Sequence, residues 1–294
     1  MTKAMRFRST WGIDPTPGYE NYKTWLPELK KLGYAGIEVN LFYLDDLKLL
    51  REICDEHNLE ITVLILSADP TVNRFKAPGS TPQGHLLFYR SQLQRSRILR
   101  PYKIVAPSGS DAWTIDQSLE FYRGSLKVDR ELGLEGKVCH ETHRSRALFN
   151  PYVTAQILTA VPEIRITADI SHWVLVCERL LDETDEDIRL WDQICPHVHH
   201  IHSRIGTTQS PQCPDPTHPT FEAERTSFEN VWRRMVRAQR QVHGPEYLVT
   251  YVPEYGPFPY HPDGSTRDFS EVADTEGVRH KALFEEAMFM DADM

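Results

Sequence analysis

Four side chains able to bind a metal or move a proton each stand at the tail end of a short apolar run of strand character. They are Glu141 in CHETHR, Asp169 in TADISHW, His202 in HHIHSR and Glu254 in VPEYGP. Acidic and imidazole groups at strand ends are how an α/β barrel builds a metal site at one mouth. Three carboxylates with one imidazole suit a divalent cation, Mn2+ first, then Mg2+ or Co2+; Zn2+ is an alternative that usually takes more nitrogen or sulfur. Taken singly, each is an ordinary polar strand end, so the argument rests on their recurrence.

That recurrence depends on the elements that carry them. MRFRSTWG (5–12) reads as a strand and is followed at 19–33 by Tyr22, Trp25, Leu26, Leu29 and Leu32, spaced by three and four as on one face of a helix. The same unit repeats: YAGIEVNL before a helix at 44–58, LEITVLILSA before a Pro/Gly-rich loop at 77–84 and a helix at 85–100, KIVAP before a helix from Thr114 to Leu132. KVCHE precedes a helix opening at Asn150-Pro151, where Asn can cap and Pro suits the first turn. RITAD (165–169), VHHIH (198–202) and EYLVTYVPE (246–254) complete the strands, with a helix at 182–195 and a closing one near 270–290.

Eight strands alternating with about eight helices predict a single α/β domain over residues 1–294, a closed (β/α)8 TIM barrel rather than an open sheet. The four residues then lie on strands five to eight, 28, 33 and 52 residues apart. The first two spacings match one strand-helix unit. The third is longer by about the length of a Pro-, Thr- and Ser-rich insert from Gly206 to about Glu224, a loop long enough to be expected as a lid over the site.

Other residues are placed near the same mouth. Trp11, Glu38, Asp111 and Trp113 are substrate-lining candidates, since sugars are often held against aromatic faces with flanking hydrogen-bond groups, although a Trp at a barrel end is commonly packing. Arg204, two residues past His202, is placed to reach a substrate oxygen or to serve as a surface ion-pair partner. His197 and His199 alternate away from His200 and His202, so they should face the helices. His200 lies one layer deeper than His202 and is expected to support it by hydrogen bonding. His218, His243 and His261 carry no positional argument. HETH at 140–143 is not the HExxH zinc motif, because its histidines are three apart and lie on a strand.

The rest of the composition narrows the class. A net charge of -9 leaves nothing to neutralise a phosphate backbone, so no nucleic-acid partner is expected. The N-terminal MTKAMRFRSTWG has no apolar secretory core and no stretch is long enough to span a bilayer, which predicts a cytoplasmic protein with no membrane partner. Five scattered cysteines without a CxxC pair suggest reduced, mostly buried thiols.

At these residues the sequence resembles the sugar phosphate isomerase and epimerase family with the xylose-isomerase-like barrel, in topology over nearly the whole chain and most specifically from Val138 to Glu254. That family carries Glu on strand five, Asp followed three residues later by His after strand six, an HxH pair on strand seven and Glu on strand eight. Here these are Glu141, Asp169 with His172, His200-Ile201-His202, and Glu254. The resemblance implies that Glu141, Asp169, His202 and Glu254 hold the metal, that His172 contacts the substrate, and that Glu141 and Glu254 serve as the catalytic acid and base. A metal chelated by a carbonyl and its neighbouring hydroxyl acidifies the C–H between them and stabilises the enediolate left when a carboxylate takes the proton. It also implies a small sugar-like substrate and assembly as a homo-oligomer, a dimer or tetramer being common.

One departure concerns specificity. The epimerase branch places a further acidic residue shortly after the strand-five Glu, whereas this chain continues THRSRALF, with His143, Arg144 and Arg146. That suggests an anionic substrate oxygen or a different hydroxyl pattern. The leading expectation is a divalent-metal-dependent isomerase or epimerase of a small polyhydroxy carbonyl compound. The alternative is a metal-dependent lyase or dehydratase, in which the same enediolate expels a β-leaving group. An abasic-site endonuclease would need more ligands and a basic face, and a non-catalytic binding barrel would not need the four ligands.

Overall fold

Each strand candidate forms a strand, and the eight close on themselves. The computed structural model describes residues 4–70, 81–262 and 264–289. Its strands are β1 (Ala4–Ser9), β2 (Gly36–Asn40), β3 (Glu60–Leu64), β4 (Lys103–Ala106), β5 (Val138–Glu141), β6 (Ile166–Ala168), β7 (Val198–His202) and β8 (Val249–Val252). They pair in parallel in sequence order, and β1 pairs with β8 to close the barrel. Parallel strands wrapped by helices are covered on both faces, which is why these runs are buried almost throughout, the histidines of β7 included.

The helices of the outer layer are α1 (Glu20–Lys31), α2 (Leu47–Glu56), α3 (Pro82–Ser96), α4 (Ile115–Glu131), α5 (Pro151–Ala160), α6 (Ile170–Cys177), α7 (Asp185–Ile194), α8 (Glu222–His243) and α9 (Phe269–Phe289). Their starts follow local chemistry. Thr114 and Thr184 form reciprocal capping boxes with Gln117 and Asp187, and Asn150 accepts from Val153 N at 2.8 Å just ahead of Pro151. Between helices and barrel lies the apolar core, with Leu26, Leu50 and Tyr89 on one side and Trp173, Trp191 and Trp232 on the other. Gly36 lets β2 and β3 approach: a Cβ there would lie 2.0 Å from the backbone oxygen of Glu60.

Two boundaries differ from the sequence pattern in ways that matter for the site. Strand β8 ends at Val252, because Pro253 has no N–H to continue the ladder, so Glu254 rises on the loop above the barrel. The Pro-rich insert is shorter than expected, since α8 already begins at Glu222 after a 3-10 turn at Pro219–Phe221. Of the expected loop at 77–84, residues 77–80 lie outside the described residues, and Thr81 caps α3.

A buried carboxyl in the core gives a pH-dependent stability prediction. Asp129 on α4 is only 4% exposed and accepts a 2.7 Å hydrogen bond from the Tyr89 hydroxyl. Burial pushes its carboxyl up to about 7, against roughly 4 in an unfolded chain. Between those values the folded state binds more protons than the unfolded state, so this group's contribution to stability falls as pH rises. Asn in its place still accepts from Tyr89 but carries no charge. Denaturant melts should therefore show Asp129→Asn gaining about 2–3 kcal/mol on the wild type between pH 5 and pH 8; a pH-independent difference would contradict the assignment.

Candidate active site

The carboxyl ends of β5 to β8 bring Glu141, Asp169, His202 and Glu254 together, each offering one donor atom within 4.8 Å of the others. Each is positioned by backbone. Glu141 is the last residue of β5 and His202 the last of β7. Asp169 caps α6: its Oδ1 accepts from Ser171 N at 3.0 Å and from Ser171 Oγ at 2.5 Å. Its own N–H donates to Thr142 Oγ1 at 2.8 Å, and that hydroxyl donates back to the Asp169 carbonyl at 2.9 Å. With Oδ1 thus engaged, Oδ2 is the oxygen left to face the cluster.

His202 is oriented by a residue from across the barrel. Its Nε2 lies 3.1 Å from Glu38 Oε1, while Nδ1 faces Glu254 Oε2 at 3.2 Å and Glu141 Oε1 at 3.7 Å. A proton on Nε2 directed at Glu38 leaves the Nδ1 lone pair facing the carboxylates, the arrangement in which a second carboxylate fixes a ligating imidazole. His200, one layer deeper, joins the same support: Nε2 is 3.4 Å from Glu38 Oε2 and Nδ1 is 2.7 Å from Thr250 Oγ1. Glu38 was expected to touch substrate directly; it lines the cavity and also braces both histidines.

The donor set fits a divalent cation. Both ring nitrogens of His202 are buried without a hydrogen-bond partner, and Nδ1 points at two carboxylates that are themselves almost wholly buried. Burying three anionic groups this close is costly unless positive charge lies among them. Within the protein that charge comes from His202 and Arg204. Burial opposes a proton on His202, but Glu254 and Glu38 hold its pKa well above the usual histidine value. Arg204 pairs with Asp169 Oδ2 and lies 3.5 Å from Glu254 Oε2.

The two glutamates differ in protonation tendency. Burial, reinforced by Glu254 and Asp169, pushes the Glu141 carboxyl up to about 7 although His202 pulls the other way. Burial acts in the same direction on Glu254, but His202 and Arg204 overcome it and hold the carboxyl below the ordinary range. Both open onto a cavity of about 620 Å3, whose lining does not include Asp169 or His202.

The surroundings are mixed aromatic and cationic. His172 and His143 pack face to tilted face at 3.9 Å. Arg144 donates to His172 Nδ1 at 2.5 Å and to the Tyr260 hydroxyl at 2.9 Å, while His172 Nε2 lies 3.6 Å from Asp169 Oδ2 and 3.4 Å from Arg204 Nη2. Burial, with His143 and Arg204 nearby, keeps His172 neutral. The Trp11 ring lies under the Arg204 guanidinium at 5.7 Å and against Tyr260 at 5.1 Å, in a space that a Cβ at Gly256 would invade at 2.4 Å.

Three expectations are corrected. Trp113 packs on His85 and Phe121 and against Gly109, contributing nothing to the cavity wall, and Asp111 is exposed on the same segment, also outside that wall. None of residues 206–224 lines the cavity either. The insert instead lies under the loop that follows Glu254: Gln212 exchanges two hydrogen bonds with the Gly256 backbone, at 2.9 and 3.0 Å, and Asp215 pairs with Arg267 at 3.1 Å. Phe258, Pro259 and Tyr260 form the wall that the insert was expected to supply. Those residues were missed, although the run VPEYGPFPY after Glu254 signals a stiff loop at the mouth. His197 and His199 turn outward as expected, bonding to the Ile164 carbonyl and the Tyr247 hydroxyl.

The chain was compared with known proteins on this basis. No curated protein matches it in sequence. Similar solved structures include an L-ribulose 3-epimerase (13% identity, TM-score 0.64, covering 98% of this chain and 96% of that one). A probable 3-DHS dehydratase from Bacillus anthracis is also similar (11% identity, TM-score 0.57, 93% and 98%). So is the IOLI protein with a binding zinc atom (11% identity, TM-score 0.58, 99% and 100%). At these identities the likeness is one of fold. Among the described residues no helix is long and apolar enough to cross a membrane. The sequence model of the xylose isomerase-like TIM barrel matches residues 26–210, and the chain belongs to that family.

Proposed function

We propose that this protein is a divalent-metal-dependent isomerase or epimerase of a small polyhydroxy carbonyl compound, acting by proton transfer at the carbon next to the carbonyl. The observation that carries the reading is the pair Glu141 and Glu254: buried carboxylates on either side of His202 Nδ1, opening onto one cavity and pushed in opposite protonation directions. Groups separated in this way divide naturally into acid and base. Similarity in fold to an L-ribulose 3-epimerase is consistent with a sugar-sized substrate.

Glu141, Asp169, His202 and Glu254 would hold the cation, Mn2+ by the oxygen-rich donor set, with Zn2+ kept open by the zinc in a similar structure. When bound, the ion supplies a Lewis acid that polarises the carbonyl oxygen. The chain's own groups do the rest. Glu141 and Glu254 share the proton transfer, one carboxylate taking the proton from carbon and the other carboxyl returning one; the reverse reaction exchanges the roles. Arg204, anchored on Asp169, and His172, oriented by Arg144, present N–H groups toward substrate oxygens. Trp11 and Tyr260, in edge contact at 5.1 Å, form the aromatic part of the cavity wall.

The test is solvent exchange. Metal-loaded protein incubated with simple ketoses in D2O should incorporate deuterium at the carbon beside the carbonyl and return isomer or epimer, as read by proton NMR. Absence of exchange from a broad ketose panel would sink the reading. A dehydratase shares the first step, and similarity in fold to a probable 3-DHS dehydratase keeps it as the second reading; unsaturated product in the same spectra would select it.

A further inference from the structure

Arg204 and Arg146 line the cavity, and Arg144 stands behind two of its lining residues, His172 and Tyr260. Arg204 places one terminal nitrogen on Asp169 and Glu254, although its Nε, like that of Arg146, is buried without a partner, and Arg144 is engaged by His172 and Tyr260. Arg146 differs. It lines the cavity, yet its guanidinium makes no hydrogen bond and no ion pair within 4 Å among the described residues, and its Nε is buried without a partner.

Its placement is built by the backbone rather than by chance. The segment after Glu141 folds into a turn in which Ser145 takes a left-handed conformation (φ 58°) and Arg146 N–H donates to the His143 carbonyl at 3.2 Å. The next residue, Ala147, is buried and donates to the Ser108 carbonyl at 3.0 Å, pinning the turn to the loop after β4. The Arg146 side chain is thereby held at the cavity, five residues beyond one of the two glutamates. Burial draws its pKa below the usual arginine value, with Glu141 and Asp111 compensating only from beyond contact. His143 beside it is pushed down to about 3 by burial and by the Arg146 charge, so it is neutral and adds no competing cation.

A half-buried guanidinium that lines the cavity with no protein acceptor among the described residues keeps its terminal nitrogens free for the oxygens of a ligand. We propose that Arg146 is an anion subsite and that the substrate of the proton-transfer reaction carries a carboxylate, making it a keto-sugar acid rather than a neutral sugar. The inference rests on the function proposed above. A carboxylate is favoured over a phosphate because a single planar fork matches a carboxylate's two oxygens. Among the described residues no glycine-rich turn lines this end of the cavity with the several N–H donors that a phosphate dianion recruits.

The experiment compares three ligands that differ only at carbon six, D-fructose, D-fructuronate and D-fructose 6-phosphate, binding to metal-loaded wild type, Arg146→Gln and Arg146→Lys by calorimetry. Fructuronate should bind wild type about tenfold to a hundredfold more tightly than fructose. Arg146→Gln should shrink that ratio to about twofold or less, and Arg146→Lys should keep part of it, since the charge remains and the fork does not. Equal binding of fructose and fructuronate, or a preference that survives Arg146→Gln, overturns the subsite. A preference for the phosphate ester that Arg146→Gln abolishes overturns the carboxylate class. Deuterium exchange on the same three ligands reports separately on the reaction: tight, Arg146-dependent binding of fructuronate without exchange would leave the subsite standing and refute the proton transfer.

Discussion

Glu141→Gln is expected to lower kcat for proton exchange by roughly a thousandfold or more while leaving the barrel folded, since the positioned acid-base group is the part of the site that touches the reacting C–H. Glutamine keeps the volume and one acceptor oxygen at the end of β5, so packing against His202 survives. What it cannot do is take or return a proton. The measurement is single-turnover deuterium exchange, with circular dichroism and a thermal melt confirming the fold. An activity within tenfold of wild type would remove Glu141 from the chemistry and leave it a ligand alone. Because Glu254 is held anionic by His202 and Arg204, Glu254→Gln should be at least as severe in the direction that begins with its carboxylate, and milder in the other. That asymmetry separates an acid-base pair from two equivalent ligands.

The second large effect is expected at His202. It is the only nitrogen in the four-residue cluster, and it is the positive partner of Glu38, Glu141 and Glu254 together. His202→Ala leaves Glu38 with His200 at 3.4 Å and the Thr62 hydroxyl at 3.2 Å, and takes the nearest cation from the other two carboxylates. Removing one partner of a buried charge pair commonly costs about 3–5 kcal/mol. The variant should therefore lose about that much stability near neutral pH and also lose affinity for Mn2+. Against the pull of burial, Glu254 and Glu38 raise the His202 pKa above its unfolded value, so its contribution is full below about 6.5 and is lost as pH rises through the folded value; the loss on substitution should therefore be larger at pH 5 than at pH 8. Denaturant melts at pH 5 and pH 8 test this; a loss that is equal at both would mean that His202 matters for packing rather than charge.

Much of this architecture could be read in the sequence because the barrel imposes a simple rule on its strands. A parallel strand covered on both faces must be apolar until it reaches the mouth, so a Glu, Asp or His at its end stands out, and the four in question are brought within 4.8 Å of one another. Helix starts were legible for a local reason: Asn150-Pro151 and Thr114 cap their own backbones.

What depended on distant partners was not legible. Glu38 reads as a polar residue at the mouth, and nothing within β2 tells that it braces two histidines of β7 across the barrel axis. Trp113 has the composition of a sugar platform, but its indole goes where Gly109 and Ala147 leave room, under His85. The insert was long enough to cover the site, yet length does not give direction. Gln212 ties it beneath the loop that ends in Tyr260, and that loop supplies the wall.

The most direct test of the central claim is the metal content of the purified protein after reconstitution with excess Mn2+ and desalting, measured by elemental mass spectrometry beside the Glu141→Gln, His202→Ala double variant. About one Mn2+ per chain in the wild type and almost none in the variant is the predicted result. A wild type that retains no divalent ion after loading would contradict the cation site and, with it, the metal-assisted proton transfer.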